Sequence, residues 1–214
     1  MRHTKITLHG ERLCLDHRRA LVWPRRHAVF VADTHFGKSA VFRREGIALP
    51  EGSDAADLAI LSELLAEHGA HYLYILGDFV HGALPAGHAF YRRFNAWLAS
   101  HGAEVHVVLG NHDVYLDRSA IHGVSWHNSL TLDPFHLVHD PIDANGGFYL
   151  AGHVHPVMRL STRGDSLRMP VFWQRSAGMV LPSFGDLTGG YHIEASRGER
   201  LYGVGPDSVV PLTP

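Results

Sequence analysis

Five short polar clusters along the chain hold the residue types that bind transition metals in proteins. Each cluster follows an apolar stretch, and together they read Asp33-Thr34-His35, Gly77-Asp78, Gly110-Asn111-His112-Asp113, His139 and Gly152-His153-Val154-His155. Carboxylate, imidazole and amide groups suit manganese, iron, zinc or nickel better than calcium or magnesium alone. Because they supply more ligands than one four-coordinate site uses, the sequence indicates two divalent ions.

The spacing within the clusters supports this interpretation. In an extended segment, side chains two residues apart lie on the same side, as in Asp33-x-His35 and His153-x-His155. Asp78 could bridge two cations through its two carboxylate oxygens. Two ions roughly 3.5–4 Å apart can clamp a phosphoryl group and lower the pKa of a bridging water. The chemistry that follows is hydrolysis of a phosphate ester.

The glycines in these clusters have a physical reason to precede the ligands. Gly77, Gly110 and Gly152 stand where the chain must turn sharply and approach the ions closely. Each cluster alone also fits a polar turn after a strand, with Asp113 as a helix cap. All five clusters in this order favour the metal centre over that alternative.

The apolar pattern predicts the elements that position these clusters. Buried strands are expected at 27–32, 72–76 and 105–109, separated by helices at about 53–68 and 86–100. This alternation suggests parallel strands, whose carboxyl ends would bring the clusters to one sheet edge. Short strands are also expected at 5–8, 12–15, 20–23, 124–127, 130–132, 135–139, 148–151, 171–173, 176–181, 191–194, 200–204 and 208–210. We predict two mixed sheets packed face to face with helices outside.

Composition limits the class of protein. The 214 residues suit one domain over 1–214, and 45% hydrophobic with 19% charged residues indicates a globular protein. We expect a cytoplasmic location, because no signal peptide or membrane span is evident and the single cysteine, Cys14, cannot form an internal disulfide. A net charge of −2 does not predict a nucleic-acid binder. Most of the 19 histidines are expected on the surface.

The ordered clusters resemble the calcineurin-like metallophosphoesterase superfamily. The resemblance implies an α/β fold, a four-layer αββα sandwich of two mixed β-sheets flanked by helices. It also implies that His112 contacts the scissile phosphate and helps to protonate the leaving group, while Asp113 orients His112. The implied ligands of one ion are Asp33, His35, Asp78 and His155, and those of the other are Asp78, Asn111, His139 and His153.

One position departs from the superfamily pattern. Many members carry a second aspartate three residues after the bridging one, where this chain has His81. The departure argues against a protein phosphatase. His81 could support a ligand, contact the substrate or lie on the surface.

Longer segments are similar to one bacterial group, the ligase-associated DNA damage response endonucleases of the PdeM type. The similarity covers Ala32 to Lys38, Phe42 to Pro50, Gly77 to His81 and Leu181 to Gly190. It implies manganese-dependent endonuclease action on DNA, in the single-stranded form above all, and a functional association with a DNA ligase and a DEXH-box helicase. Iron, zinc or nickel are the alternative metals.

Basic residues after the first cluster fit a phosphate-containing substrate. Lys38, Arg43 and Arg44 could hold flanking phosphates, although the two arginines also fit solvated charges on a helix. Phe36, Phe42 and Tyr115 could stack on bases or belong to the core. The leading hypothesis is a dinuclear phosphodiesterase acting on DNA in repair. The alternatives are a phosphoesterase for nucleotides or cyclic nucleotides, and a binding module that has lost catalysis.

Overall fold

Among the described residues, seven strands form the first sheet, and they lie side by side in chain order. The computed structural model describes residues 3–44, 46–47, 52–162, 165–185 and 189–212. The strands are β1 (His3–Leu8), β2 (Glu11–Asp16), β3 (Ala20–Trp23), β4 (Ala28–Ala32), β5 (Tyr72–Leu76), β6 (Glu104–Val108) and β7 (Val124–His127). Strands β1 to β4 pair antiparallel, and β4 to β7 pair parallel as predicted.

Two long helices cover one face of this sheet. They are α2 (Ser53–Glu67) and α3 (Ala89–Ala99), and each end lies within three residues of its predicted position. Leu58, Leu61 and Leu65 of α2 recur at helical spacing and pack in the same core cluster as Val29 and Val31 of β4. A third, short helix that the apolar pattern did not predict is α1 (Lys38–Arg44).

In the part of the later chain that the structure describes, nine strands form the second sheet. They are β8 (Leu130–Leu132), β9 (Phe135–Leu137), β10 (Phe148–Ala151), β11 (Pro156–Thr162), β12 (Asp165–Gln174), β13 (Gly178–Val180), β14 (Tyr191–His192), β15 (Arg200–Val204) and β16 (Val209–Pro211). Strands β9, β10 and β13 run parallel, whereas β11 and β12 form an antiparallel hairpin. Of that hairpin only 171–173, within β12, was predicted as a strand, because Arg159, Arg168 and their polar neighbours interrupt any apolar run.

The two sheets pack face to face through a second core. Phe30 of β4 lies in this core with Phe135 of β9 and Phe172 of β12, and each is fully buried. Successive β4 side chains thus alternate between the helices and the other sheet, as a doubly buried strand requires. The predicted α/β fold of two mixed sheets is confirmed.

The outer face of the second sheet is covered differently from that of the first. Within the described ranges, its apolar cluster packs against Ala144, which follows the 3-10 turn Pro141–Asp143, and against Val154. In a neighbouring apolar cluster, Ile193 packs with Val171 of β12 and Leu201 of β15. In this part of the chain the cover is therefore a short turn and loops, and the α-helices lie on the first sheet. No helix of the described residues is long and apolar enough to cross a membrane.

Candidate metal centre

The five polar clusters meet at one end of the two packed sheets. Asp33, Asp78 and Asn111 follow the carboxyl ends of the adjacent parallel strands β4, β5 and β6. His139 lies just beyond β9 and His153 just beyond β10 of the second sheet, where these strands are also parallel. Parallel pairing places the strand ends of each sheet at one edge, and the two edges meet where the N–H of His153 donates to Asp33 Oδ1 at 3.1 Å.

The ligating atoms form two groups that share one residue. Asp33, His35, Asp78 and His155 offer atoms within 4.8 Å of one another, and so do Asp78, His139 and His153. In the second group, Asn111 Oδ1 lies 3.0 Å from His139 Nε2 and 3.1 Å from His153 Nδ1. The structure therefore brings together all seven predicted ligands, with Asp78 between the two groups.

The backbone at these positions is held in an uncommon conformation. The φ angles are 52° at Asp33, 47° at His35, 44° at Asp78, 67° at His153 and 49° at His155. A left-handed conformation costs an L-residue other than glycine about 1–3 kcal/mol and persists only where the surrounding structure imposes it. Strain concentrated on the candidate ligands is expected where a functional site fixes the direction of each side chain.

Three glycines allow the clusters to approach one another. A Cβ atom on Gly77 would overlap the ring of His139, and one on Gly110 would overlap the backbone and carboxylate of Asp78. A Cβ atom on Gly152 would lie 2.7 Å from Asp33 Oδ2. The close approach expected of these glycines is therefore present at each position.

Polar contacts orient the rings of His139 and His153 toward the centre. His139 Nδ1 lies 3.2 Å from the carbonyl oxygen of Leu76, which can only accept, so this nitrogen donates and Nε2 faces Asp78 at 3.5 Å. For His153, Nδ1 faces Asn111, while Nε2 lies 3.4 Å from a carboxylate oxygen of Asp140. Carboxylates and carbonyls orient metal-binding imidazoles in this way. Asp140 was missed by the sequence analysis, although its position beside His139 was a signal.

The charges at the site fit a pair of cations. Asp33 and Asp78 are buried carboxylates, and a buried charge requires a partner of opposite charge or a metal. Burial lowers the pKa of His35 to about 2, so this imidazole stays neutral and can ligate. Burial also lowers the pKa of His155, but the hydrogen bond and charge of Asp33 outweigh it and raise the pKa overall. Two carboxylates among imidazoles form a donor set that divalent transition metals accept.

His112 and Asp113 lie beside the centre, but they do not form the predicted pair. The Asp113 carboxylate accepts hydrogen bonds from the backbone N–H groups of Gly110 at 2.8 Å, Val80 at 3.0 Å and Phe79 at 3.2 Å. Burial raises its pKa, against these three hydrogen bonds. Asp113 therefore joins the loops after β5 and β6, and the prediction that it orients His112 by a hydrogen bond is corrected. The carboxylate is directed to another loop, which spacing along the chain could not show.

The backbone of His81 orients His112 instead. His112 Nδ1 donates to the carbonyl oxygen of His81 at 2.8 Å, which leaves Nε2 near the centre, 4.0 Å from Asp78 Oδ2. The two imidazole rings are stacked, with centroids 5.2 Å apart. His81 Nδ1 also lies 3.3 Å from His35 Nδ1. Of the three roles considered for His81, a surface position is thus excluded, since its ring contacts a candidate ligand and the candidate acid.

The basic residues of α1 differ in their distance from the site. Lys38 is buried, with its ammonium group 5.4 Å from the centre of the Phe42 ring, and burial lowers its pKa while the charge of Asp78 opposes this. Arg44 donates to the carbonyl oxygen of Ala83 at 2.8 Å, and Arg43 is exposed. Lys38 is therefore the cation of this helix that the structure places against the centre.

The remaining predicted positions separate into core and surface. Phe36 is fully buried and packs on Phe79 and Phe90, whereas Tyr115 is 61% exposed. Ser183 and Phe184 of the glycine-rich segment bond to the backbone of Ala32 and Asp33, so this part supports the site from behind. Residues 186–188 of the same segment lie outside the described residues.

Fold and site together define a metal-dependent phosphoesterase. The family model of calcineurin-like phosphoesterases matches residues 27–175. The chain belongs to this family, which confirms the resemblance drawn from its motifs.

Among solved structures, the Pseudomonas putida nuclease MPE is 37% identical, with a TM-score of 0.85 over 98% of this chain and 100% of that one. The phosphoesterase Yfce from E. coli is 21% identical, with a TM-score of 0.46 over 84% of this chain and 88% of that one. No curated protein matches the sequence.

Proposed function

We propose that this protein is a manganese-dependent DNA endonuclease that hydrolyses phosphodiester bonds at a two-metal centre. The observation that carries the proposal is the pair of ligand groups sharing Asp78, with His112 Nε2 4.0 Å from the same carboxylate. A phosphate held at the centre would therefore lie within reach of a proton donor. The similarity to a nuclease over nearly the full length of the chain favours nucleic acid as the substrate.

The ligand groups would be filled as the family resemblance implies. Asp33, His35, Asp78 and His155 would hold one ion, and Asp78, Asn111, His139 and His153 the other. When bound, the ions polarise the phosphate and lower the pKa of the attacking water. The mixed nitrogen and oxygen donors suit manganese, with iron, zinc or nickel as alternatives.

The protein's own groups would position the phosphate and move the proton. His112 Nδ1 is occupied by the carbonyl oxygen of His81, so only Nε2 can protonate the leaving oxygen. His112 N–H donates to Asp78 Oδ1 at 2.9 Å, which fixes the backbone of the acid relative to the shared carboxylate. Lys38, buried against the site, would add positive charge beside the non-bridging phosphate oxygens.

The cellular setting is proposed from the resemblance to ligase-associated endonucleases. We place the activity in DNA repair in the cytoplasm, on single-stranded DNA, with a functional association with a DNA ligase and a DEXH-box helicase. A complex of the chain with either enzyme, tested by co-purification, would support the association.

A substrate panel tests the proposal directly. The purified protein, loaded with Mn²⁺, is assayed on a single-stranded oligonucleotide, a bis-aryl phosphodiester, a cyclic nucleotide and a phosphate monoester. We expect internal cleavage of the oligonucleotide and turnover of the simple diester, with the monoester the poorest substrate. Efficient turnover of the nucleotides without cleavage of the oligonucleotide would contradict the endonuclease proposal and favour the small-molecule alternative.

A further inference from the structure

A cleft lined by arginine side chains opens beside the candidate ligand His155. It has a volume of about 130 Å³ and is lined by Val157 and Pro170, which are paired across β11 and β12, and by Arg19 and Arg168. Arg19, Arg168 and Pro170 also line a larger cleft of about 460 Å³. The two clefts are therefore adjacent, and together they are called the channel, which begins beside His155.

Backbone contacts hold the two arginines in the channel. Arg168 Nη2 donates to the carbonyl oxygen of Gly190 at 2.9 Å, and Arg19 Nη1 donates to that of Phe184 at 3.1 Å. A guanidinium carries five N–H donors, so the bond from Arg168 to a neutral carbonyl positions this group without removing its charge. Gly190 is needed for this approach, because a Cβ atom there would lie 2.7 Å from Arg168 Nη2.

A second arginine stands directly opposite Arg168. In the antiparallel pairing of β11 and β12, Arg159 is the register partner of Arg168, and both side chains are exposed. Like charges directly opposite each other in a sheet destabilise the pairing, and an anion bound between them removes this cost. Arg159 lies four residues beyond His155, which corresponds to about 13 Å of extended strand.

The end of the channel beside His155 is positively charged. Among the described residues that line the smaller cleft, two are arginines and none is acidic. The larger cleft adds His17, Asp57 and Arg18, and Arg18 is paired with Asp16 and Glu67. A chain of phosphates is the ligand whose charge and length match such a surface, because arginine forks bind phosphate oxygens in pairs.

We infer that this channel binds the phosphodiester backbone of the substrate strand on one side of the scissile phosphate. Arg159 and Arg168 would hold phosphates beyond the cleaved bond, and the preferred substrate is therefore an oligonucleotide several residues long. The inference rests on the proposed function and adds the path of the DNA strand to it. It differs from the earlier assignment of substrate contacts to α1, since these arginines come from the second sheet.

The test compares two double variants that each lose two positive charges. Arg159→Ala with Arg168→Ala removes one arginine of the channel lining and the arginine paired with it across β11 and β12. Arg92→Ala with Arg93→Ala removes two exposed arginines from α3, behind the first sheet. Affinity for a fluorescent single-stranded oligonucleotide is measured at several salt concentrations. Turnover of the same oligonucleotide is compared with turnover of a bis-aryl phosphodiester.

The channel variant is expected to bind the oligonucleotide roughly tenfold more weakly than the control. Losing two contacts to a single strand should lower the slope of log affinity against log salt by about 1.4. The ratio of oligonucleotide turnover to bis-aryl phosphodiester turnover should fall together with this affinity. If the alanine pair is unstable, glutamine at both positions keeps the aliphatic stems and serves the same comparison.

The possible results separate the inference from the proposed function. Equal affinity, salt slope and turnover ratio in the two double variants would overturn the inference. If the wild type still cleaves the oligonucleotide, the proposed endonuclease function would stand. A wild type that neither binds nor cleaves the oligonucleotide, yet hydrolyses the simple diester, would overturn both.

Discussion

Replacing Gly77 with alanine separates backbone strain from the loss of a metal ligand. Gly77 has a φ of 79°, and a Cβ atom there would overlap the ring of His139. Gly10, in the turn between β1 and β2, has a φ of 77° with nothing within 4 Å of its Cβ position. That turn lies at the end of the first sheet opposite the candidate site, because β2 and β4 run in the same direction. Alanine at either position would carry the cost of a left-handed backbone, but only at Gly77 would it also collide with the ring of His139.

The shared penalty follows from the left-handed backbone. It costs an L-residue about 1–2 kcal/mol, which lowers the Tm of a domain of this length by about 2–8 °C. In Gly77→Ala, the His139 ring must also leave its place. It then loses the 3.2 Å hydrogen bond to Leu76 and the 3.5 Å approach to Asp78. Disturbing contacts that orient a ligand weakens metal affinity about 10–100-fold, and displacing the ligand itself should cost at least as much.

Thermal unfolding and titration calorimetry with Mn²⁺ measure the two effects separately. Gly10→Ala should lower the Tm and bind two ions with wild-type affinity. Gly77→Ala should lower the Tm at least as much and bind one of the ions at least tenfold more weakly. Wild-type affinity for both ions in Gly77→Ala would refute the placement of His139 as a ligand. Weakened binding in Gly10→Ala would refute the separation of strain from ligation.

Three further substitutions test the other parts of the site and fold. His112→Gln should lower kcat by roughly 10²–10⁴-fold with two ions still bound, as measured by steady-state kinetics and metal analysis; wild-type kcat would exclude His112 as the acid. Asp113→Ala leaves the N–H groups of Phe79, Val80 and Gly110 without an acceptor, and the first two are buried. At about 1–3 kcal/mol for each buried group, urea unfolding should show a loss of at least about 2 kcal/mol. Asp16, fully buried and bonded to Arg18 and His68, has a pKa held well below its usual range, because those hydrogen bonds and the charge of Arg18 outweigh burial. The stability that the Asp16 carboxylate contributes is present above its unfolded-state pKa of about 3.9 and is lost as the pH falls toward its folded-state pKa. The unfolding free energies of the wild type and Asp16→Asn should therefore converge in acid. A constant difference from pH 7 to pH 2 would contradict that assignment.

The convergence of the metal ligands could be predicted because each ligand follows an apolar strand. Asp33, Asp78 and Asn111 are far apart in sequence, but parallel pairing of β4, β5 and β6 requires their strand ends to meet. The bounds of β5 and α2 followed equally well from apolar runs and helical periodicity. The local sequence pattern was sufficient to predict a side chain's position wherever one strand or helix determines that position.

Other features depend on contacts between elements that are distant in sequence. Asp113 bonds to the loop after β5, so its neighbour His112 takes its orientation from His81, 31 residues earlier in the chain. The arginine channel joins Arg19 of the first sheet to Arg168 of the second through the packing of the two sheets. No motif contains both residues, and a net charge of −2 conceals the local excess of positive charge.

Metal content and DNA cleavage in the Asp78→Ala variant test the two-metal centre most directly. Asp78 belongs to both ligand groups, so its removal should weaken both ions and abolish cleavage of a single-stranded oligonucleotide. The account predicts two Mn²⁺ ions per wild-type chain, fewer than two in the variant under the same conditions, and no measurable cleavage by the variant. Undiminished cleavage by Asp78→Ala, or a single ion in the active wild type, would contradict it.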